Sequence, residues 1–170
     1  MVDFQIKGKK FDGAFCTVDT FRHLLSEKQA EQHLINVSQV LKKNGIYVLG
    51  LHLLSGKEVT NKVIRWTAKR GRLTVKSSMT MLKLLPKKRI ETLQVILKIN
   101  KTRDRFKSVT EKKYESVYQL RTYTLKQFNR LLSKTNVFEI VNVYDHYYDL
   151  SRPVVLNEMT DYGVFVLRKI

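Results

Sequence analysis

The spacing of apolar residues divides the first third of the chain into a strand, a helix and a second strand. The runs Phe11–Val18 and Ile46–Leu53 are mostly apolar, which predicts two strands. Between them, apolar residues recur at helical spacing at Ala30, Leu34, Val37 and Leu41. This succession favours a parallel pair of strands joined by a right-handed crossover.

The predicted helix carries signals at both of its ends. Ser26, followed by Gln29 at the third position after it, forms a capping box that satisfies backbone donors at the helix start. Lys42 and Lys43 suit the negative end of the helix dipole. Asn44-Gly45 then predicts a left-handed helix stop.

From Ser55 to Tyr123 the apolar residues alternate with polar ones instead. The alternating segments are Val63–Thr67, Leu73–Leu85, Ile90–Ile99 and Tyr114–Leu120. We interpret Lys69–Arg72 as a turn and Lys101–Lys113 as a charged loop or hairpin end. The region is therefore predicted to be an antiparallel sheet of three or four strands, with one polar face exposed to solvent.

The end of the chain returns to a mixed pattern. Thr124 and Gln127 form a second capping box before a short helix that ends near Asn136. Two apolar strands come next, Phe138–Tyr144 and Tyr162–Leu167. We interpret residues 1–170 as a single domain, within which residues 55–123 form an inserted antiparallel sheet.

Composition and charge narrow the range of functions. The formal net charge is +17, from 32 Lys and Arg against 15 Asp and Glu, but these residues are spread along the chain without the aromatic pattern of an RNA-binding module. Nucleic-acid binding is therefore an alternative that we do not favour. No apolar run is long enough to span a membrane, no secretory signal is evident, and no metal site is legible with one cysteine. These features favour a cytoplasmic protein.

Six stretches carry a resemblance to a known family. They are Lys10–Cys16, Phe21–Leu25, Leu41–Val48, Leu120–Thr124, Phe138–Val141 and Tyr162–Lys169. In their order and spacing they resemble the fourth to seventh strands, with adjoining segments, of the class I S-adenosylmethionine-dependent methyltransferases. Asn44 replaces the first glycine of the pair that opens the family's fifth strand. The resemblance implies an α/β, incomplete Rossmann-like sheet in the strand order 4-5-7-6, with the seventh strand antiparallel.

The resemblance also implies a function and a cofactor. The expected activity is methyl transfer from S-adenosyl-L-methionine to an unidentified acceptor. The family's glycine-rich first motif and the acidic residue that binds the ribose do not occur in this chain, and Met1–Phe4 resembles the segment after the family's third strand. We therefore expect a truncated, C-terminal portion of a methyltransferase that is impaired when alone. The sequence does not distinguish a natural truncation from a mis-assigned start or a frameshift.

Candidate site residues follow from the resemblance and from sheet geometry. Cys16 and Thr17 close the first strand, and ligands of open α/β sheets bind beyond the carboxyl ends of strands, so both are expected to contact the cofactor. Phe21 is expected to shelter the cofactor. No pattern establishes a catalytic residue, but His52, at the end of the second strand, is a candidate for orienting a substrate or accepting a proton. Each residue also has a structural interpretation: Cys16 as a buried thiol, Phe21 as a core aromatic and His52 as a structural histidine.

The inserted sheet supplies the predicted acceptor contacts. In the family such an insertion often covers the substrate site, so Trp66, Arg121 and Tyr123 are expected to select the methyl acceptor. Arg121 has a structural alternative, an ion pair with Glu115 or Asp145.

A second hypothesis leaves open whether the chain is itself an enzyme. The first strand lacks a neighbour on its outer side, so the chain could be a non-catalytic scaffold or partner subunit, completed by a second copy of itself or by a complementary N-terminal half.

Overall fold

The computed structural model describes residues 1–56, 60–102 and 109–170, and its elements agree closely with the predicted pattern. In chain order they are β1 (Phe11–Cys16), α1 (Glu27–Val40), β2 (Leu41–His52), β3 (Val63–Arg70), β4 (Leu73–Leu85), β5 (Ile90–Thr102), β6 (Val109–Arg121), α2 (Leu125–Thr135), β7 (Phe138–Tyr144) and β8 (Tyr162–Lys169). Short 3-10 helices occur at Thr20–His23 and Pro86–Lys88. Of the segment Lys101–Lys113, predicted to be a charged loop or hairpin end, residues 103–108 lie outside the described residues. Lys101 and Thr102 instead end β5, and Val109–Lys113 begin β6.

The first compact unit comprises the described residues up to Gly56 together with Arg121–Ile170. Its four-stranded sheet has the order β1-β2-β8-β7. β1 and β2 are parallel, whereas β8 runs antiparallel to both β2 and β7. This confirms the predicted 4-5-7-6 order with an antiparallel seventh strand, and it makes β1 an edge strand of the sheet.

The core of this unit lies between the sheet and its two helices. α1 contacts both β2 and α2, and α2 also contacts β7. Leu34 of α1, Phe128 of α2 and Phe165 of β8 are fully buried, and the rings of Phe128 and Phe165 have centroids 4.7 Å apart. Burying side chains of this size stabilises the fold by about 1.5–3 kcal/mol each.

Both predicted capping boxes are confirmed, but the predicted end of α1 is wrong. α1 ends at Val40, because Leu41 has extended backbone angles and pairs with Phe11 at the start of β2. The left-handed conformation expected of Asn44 does occur, at φ 61°, but inside β2, where the register with β1 shifts. A Cβ on Gly45 would lie 2.9 Å from a backbone oxygen, so this close approach requires glycine.

The second compact unit contains the described residues from Thr60 to Leu120. Its sheet has the order β3-β4-β5-β6, and the pairs β3/β4 and β4/β5 are antiparallel. The region predicted to be an inserted antiparallel sheet thus contains four strands.

Candidate active site at the carboxyl ends of β1 and β2

The parallel pairing of β1 and β2 places their carboxyl ends side by side. Cys16, the last residue of β1, is in register with Leu49, so β2 extends three residues further, to His52. The chain leaving β1 turns back along this extension, and the backbone N–H of Asp19 donates to the carbonyl of Gly50 at 3.2 Å. This hydrogen bond holds Asp19 beside His52.

Asp19 and His52 make two hydrogen bonds. One carboxylate oxygen of Asp19 accepts from the backbone N–H of His52 at 2.7 Å, and the other lies 2.6 Å from the ring atom Nδ1. Because an ionised carboxylate only accepts hydrogen bonds, Nδ1 must carry the proton. In the neutral form of the ring, Nε2 therefore keeps a lone pair, and the His52 side chain is 58% exposed. This arrangement can accept a proton from a bound molecule.

The backbone and a buried arginine fix the position of Asp19. Val18 and Asp19 have φ angles of 54° and 62°, a left-handed conformation that is strained for a β-branched residue. The guanidinium of Arg22 lies 3.3 Å from Asp19 and also donates to the carbonyl of Arg121 at 2.9 Å. Burial opposes ionisation of Asp19, but its hydrogen bond with His52 and the charge of Arg22 outweigh burial and lower the pKa of its carboxyl.

Tyr162, the first residue of β8, packs against His52. Their ring centroids are 4.7 Å apart, and the two residues are partners in the β2/β8 register. Gly50 makes room for the phenol, because a Cβ at this position would lie 2.8 Å from the Tyr162 hydroxyl. Burial, followed by a hydrogen bond with Tyr148 at 3.5 Å, raises the pKa of Tyr162. Tyr162 therefore stays protonated and can donate a hydrogen bond at the site.

The structure brings three of the four predicted cofactor-site and catalytic residues to one edge of the sheet. Cys16, Thr17 and His52 lie at or just beyond the ends of β1 and β2. Burial raises the pKa of the Cys16 thiol, which is a feature of a packed thiol rather than of a nucleophile. Phe21 is fully buried in the core, with its ring centroid 5.9 Å from that of Tyr123.

The predicted acceptor contacts fall in different surroundings. Trp66 lies on β3 of the second unit and is 47% exposed. Arg121 is buried, donating to the carbonyl of Leu25 at 3.0 Å and to the carboxylate of Glu27 at 2.7 Å. Its ion pair thus anchors the start of α1. Tyr123 is fully buried between aromatic residues.

Sequence reasoning missed Asp19, Arg22 and Tyr162 as site residues. An acidic residue just beyond a buried strand is a weak signal for Asp19. Tyr162 carries no local signal, since its position beside His52 arises only from the β2/β8 pairing.

Two features are absent from the described part of the chain. No group of three or more His, Cys, Asp and Glu side chains there has a geometry that could hold a metal ion. Neither α1 nor α2, the two α-helices of those residues, has the length and apolar character needed to cross a bilayer.

Comparison with solved structures identifies the fold. The chain superposes on an S-adenosylmethionine-dependent methyltransferase from Clostridium acetobutylicum with a TM-score of 0.71 at 14% identity, covering 98% of this chain and 61% of that one. CalS10, an amino pentose methyltransferase from Micromonospora echinaspora, gives 0.70 at 14% identity, with coverages of 99% and 62%. The sugar N-methyltransferase KedS8 from Streptoalloteichus gives 0.66 at 12% identity, with coverages of 97% and 59%. The chain has a class I methyltransferase fold.

Within this methyltransferase fold, the chain spans about three fifths of the length of these solved structures. No protein-family model and no curated protein matches the sequence. Ligands of such open sheets bind beyond the carboxyl ends of the strands. That edge is where Thr17, Asp19 and His52 lie.

Proposed function

We propose that the chain takes part in methyl transfer from S-adenosylmethionine, and that it supplies the part of the site beyond the ends of β1 and β2. The observation that carries this proposal is the pair of Asp19 and His52 at this edge of a methyltransferase fold, with an exposed imidazole whose Nε2 can accept a proton. Because methyl transfer depends mainly on aligning donor and acceptor, one oriented base is sufficient side-chain chemistry.

The residues at this edge fit the methionine end of the cofactor. Thr17 is small and half-buried, Cys16 is a half-buried thiol, and the backbone just beyond them, at Val18 and Asp19, has a left-handed conformation. When bound, the cofactor supplies an electrophilic methyl group on a sulfonium centre. Cys16 and Thr17 would contact it, and Phe21 would support their loop from the core.

The acceptor class that we propose is an amine. Two of the neighbouring structures are named as an amino pentose and a sugar N-methyltransferase, which is the support for this choice. A primary or secondary amine must lose one proton when its nitrogen gains a methyl group. Nε2 of His52 accepts that proton, and Asp19 stabilises the resulting imidazolium. Trp66 remains a proposed acceptor contact, whereas Arg121 and Tyr123, being buried, would act by ordering the segment that contains them.

A binding experiment tests the proposal. Equilibrium dialysis with methyl-labelled S-adenosylmethionine should show millimolar binding, since this chain lacks the family's glycine-rich motif. Thr17→Arg should weaken binding at least tenfold by obstructing the strand ends. Gln39→Arg, an equal change of charge just before β2 at the opposite edge, should leave it unchanged. Equal affinities for the two variants would contradict the assigned site, and micromolar binding by the wild-type chain would contradict the expected impairment.

A scaffold or partner-subunit function is the second candidate. Phe15 on the edge strand β1 is 81% exposed and Val18 is 73% exposed, so an apolar edge with free backbone groups faces outward. A second copy of the chain or a complementary N-terminal half would add a strand there. Size-exclusion chromatography with light scattering tests this candidate, because a monomer at all concentrations would argue against self-association.

A further inference from the structure

The sheet of the second unit has two chemically different faces. Strand pairing places Arg65 opposite Ser78 and Ser78 opposite Ile96, while Lys76 lies between Thr67 on β3 and Lys98 on β5. Because side chains alternate along each strand, these six residues share one face. The opposite face carries the intervening residues, including Trp66, Ser77 and Leu97. We call the first of these the basic face.

Two lysines on the basic face oppose each other directly. Lys76 and Lys98 are register partners on neighbouring strands, which brings their Cβ atoms to about 4.5–5.5 Å. Like charges in this arrangement destabilise a sheet. Arg65 lies on the same face, two residues before Thr67 on β3, and Thr67 is the register partner of Lys76. The face therefore concentrates positive charge at a cost in stability.

No described carboxylate relieves this repulsion. Across the described ranges, none of Arg65, Lys76 and Lys98 forms an ion pair with an acidic side chain. The carboxylate of Glu115, which reaches Gln94 of β5, already accepts from Lys113 at 3.1 Å and from Gln94 at 2.6 Å. The three cations thus remain available to an external anion.

These cations line a shallow groove. Its volume is about 240 Å³, and its lining consists of the six residues of the basic face together with Trp66 and Ser77, which occupy intervening positions of β3 and β4. Two hydroxyls and three cationic groups offer many donors, so the groove suits a group with several acceptor oxygens. It is smaller than the roughly 300–1,000 Å³ of a site that encloses a whole small molecule. It therefore fits one charged group of a larger ligand.

We propose that the basic face binds phosphate groups, through Arg65, Lys76 and Lys98, with Thr67 and Ser78 as further donors. The ligand is either a phosphorylated small molecule or the backbone of a nucleic acid, since both present the same phosphate oxygens. This site is independent of the proposed methyl transfer, because it uses no residue at the ends of β1 and β2.

The test uses the full chain, with inorganic pyrophosphate as probe, in isothermal titration calorimetry at low salt. The double variant Lys76→Gln/Lys98→Gln should lose at least tenfold in affinity. The control is Lys101→Gln/Lys112→Gln, which removes the same charge from the opposite face of the same sheet. It should change the affinity less than twofold. Without ligand, the first variant should melt at a temperature equal to or above that of wild type, which shows that it folds.

A second arm distinguishes the two sources of phosphate. A single-stranded DNA of 20 or so nucleotides is titrated over a range of salt concentrations. A nucleic-acid backbone would be assigned if the DNA binds more tightly than pyrophosphate and its affinity depends on salt. For each phosphate contact, the logarithm of the affinity should then fall by about 0.7 per unit of log salt concentration. Tighter pyrophosphate binding would assign a small phosphorylated ligand. Absence of binding by either probe, or equal losses in the two double variants, would overturn the proposal.

Discussion

Replacing Asp19 by Asn changes the chemistry of the candidate site while keeping its shape. The two side chains are nearly the same size, and asparagine tolerates the left-handed conformation that residue 19 adopts at φ 62°. The loop between β1 and the 3-10 helix should therefore keep its path. The substitution removes one negative charge and puts an amide where a carboxylate oxygen accepted from His52.

The expected consequence is an inverted tautomer of His52. In the wild type, Nδ1 donates to the Asp19 carboxylate at 2.6 Å, and Nε2 is the unprotonated nitrogen. In Asp19→Asn, the amide oxygen can still accept the hydrogen bond from the backbone N–H of His52. The amide nitrogen then faces Nδ1 as a donor. Nδ1 must become the acceptor and Nε2 must carry the proton. The ring would then have no exposed proton acceptor.

The structure also sets the size of the stability change. Asp19→Asn weakens two charge-assisted contacts, with His52 and with the buried Arg22, and such hydrogen bonds are worth about 1.5–3 kcal/mol each. Since the His52 side chain is 58% exposed, solvent reduces its share. We expect a total loss of about 2 kcal/mol, which corresponds to a fall in Tm of about 4–8 °C for a protein of this size.

Two measurements check this prediction. Long-range ¹H–¹⁵N correlation spectra of the imidazoles at alkaline pH should show His52 protonated on Nδ1 in the wild type and on Nε2 in Asp19→Asn. Thermal unfolding supplies the Tm. Asp12→Asn is the matched control, because Asp12 is exposed and pairs only with Lys42 among the described residues, so its Tm should not change measurably. A wild-type His52 protonated on Nε2 would contradict the hydrogen bond from Nδ1 to Asp19.

Three further predictions concern the same compact unit. Burial lowers the pKa of His33 below its ordinary value of 6.5, so neutral His33 contributes its full stabilisation above pH 6.5 and loses it as the pH falls further. Urea unfolding between about pH 8 and pH 5 should therefore show a free energy of unfolding that declines as the pH falls. His33→Gln should abolish this decline. Arg121→Met should lower the free energy of unfolding by about 2 kcal/mol. A double-mutant cycle with Glu27→Gln should give a coupling energy of about 1 kcal/mol between the two side chains. Additive effects of the two substitutions would exclude a shared interaction. Gly50→Ala should cost about 1–3 kcal/mol in chemical denaturation, because the new Cβ would lie 2.8 Å from the Tyr162 hydroxyl; an unchanged midpoint would contradict this packing.

The parts of the fold that depend on residues close together in the sequence could be predicted from the sequence. The capping boxes at Ser26 and Thr124 and the apolar runs that became β1 and β2 are local patterns, and each is confirmed. The end of α1 could not be predicted in the same way. There, pairing of Leu41 with the other strand overrode a local helix stop.

The candidate site could be predicted only in part, for the same physical reason. His52 was identifiable because it ends an apolar strand, but its partner Asp19 is 33 positions away, and their contact depends on a strained turn that no local pattern shows. Arg121 and Glu27 are 94 positions apart, so their ion pair depends on the tertiary fold. Sequence patterns therefore indicated the edge of the sheet but not the hydrogen bonds that organise it.

The central claim is that a methyl donor binds beyond the ends of β1 and β2. A ¹H–¹⁵N titration of the labelled chain with S-adenosylhomocysteine, continued into the millimolar range, tests it most directly. The largest shifts should occur at the backbone amides of Thr17, Asp19 and His52, with little change on the basic face of the second unit. Shifts confined to the second unit, or none at saturating ligand, would contradict it.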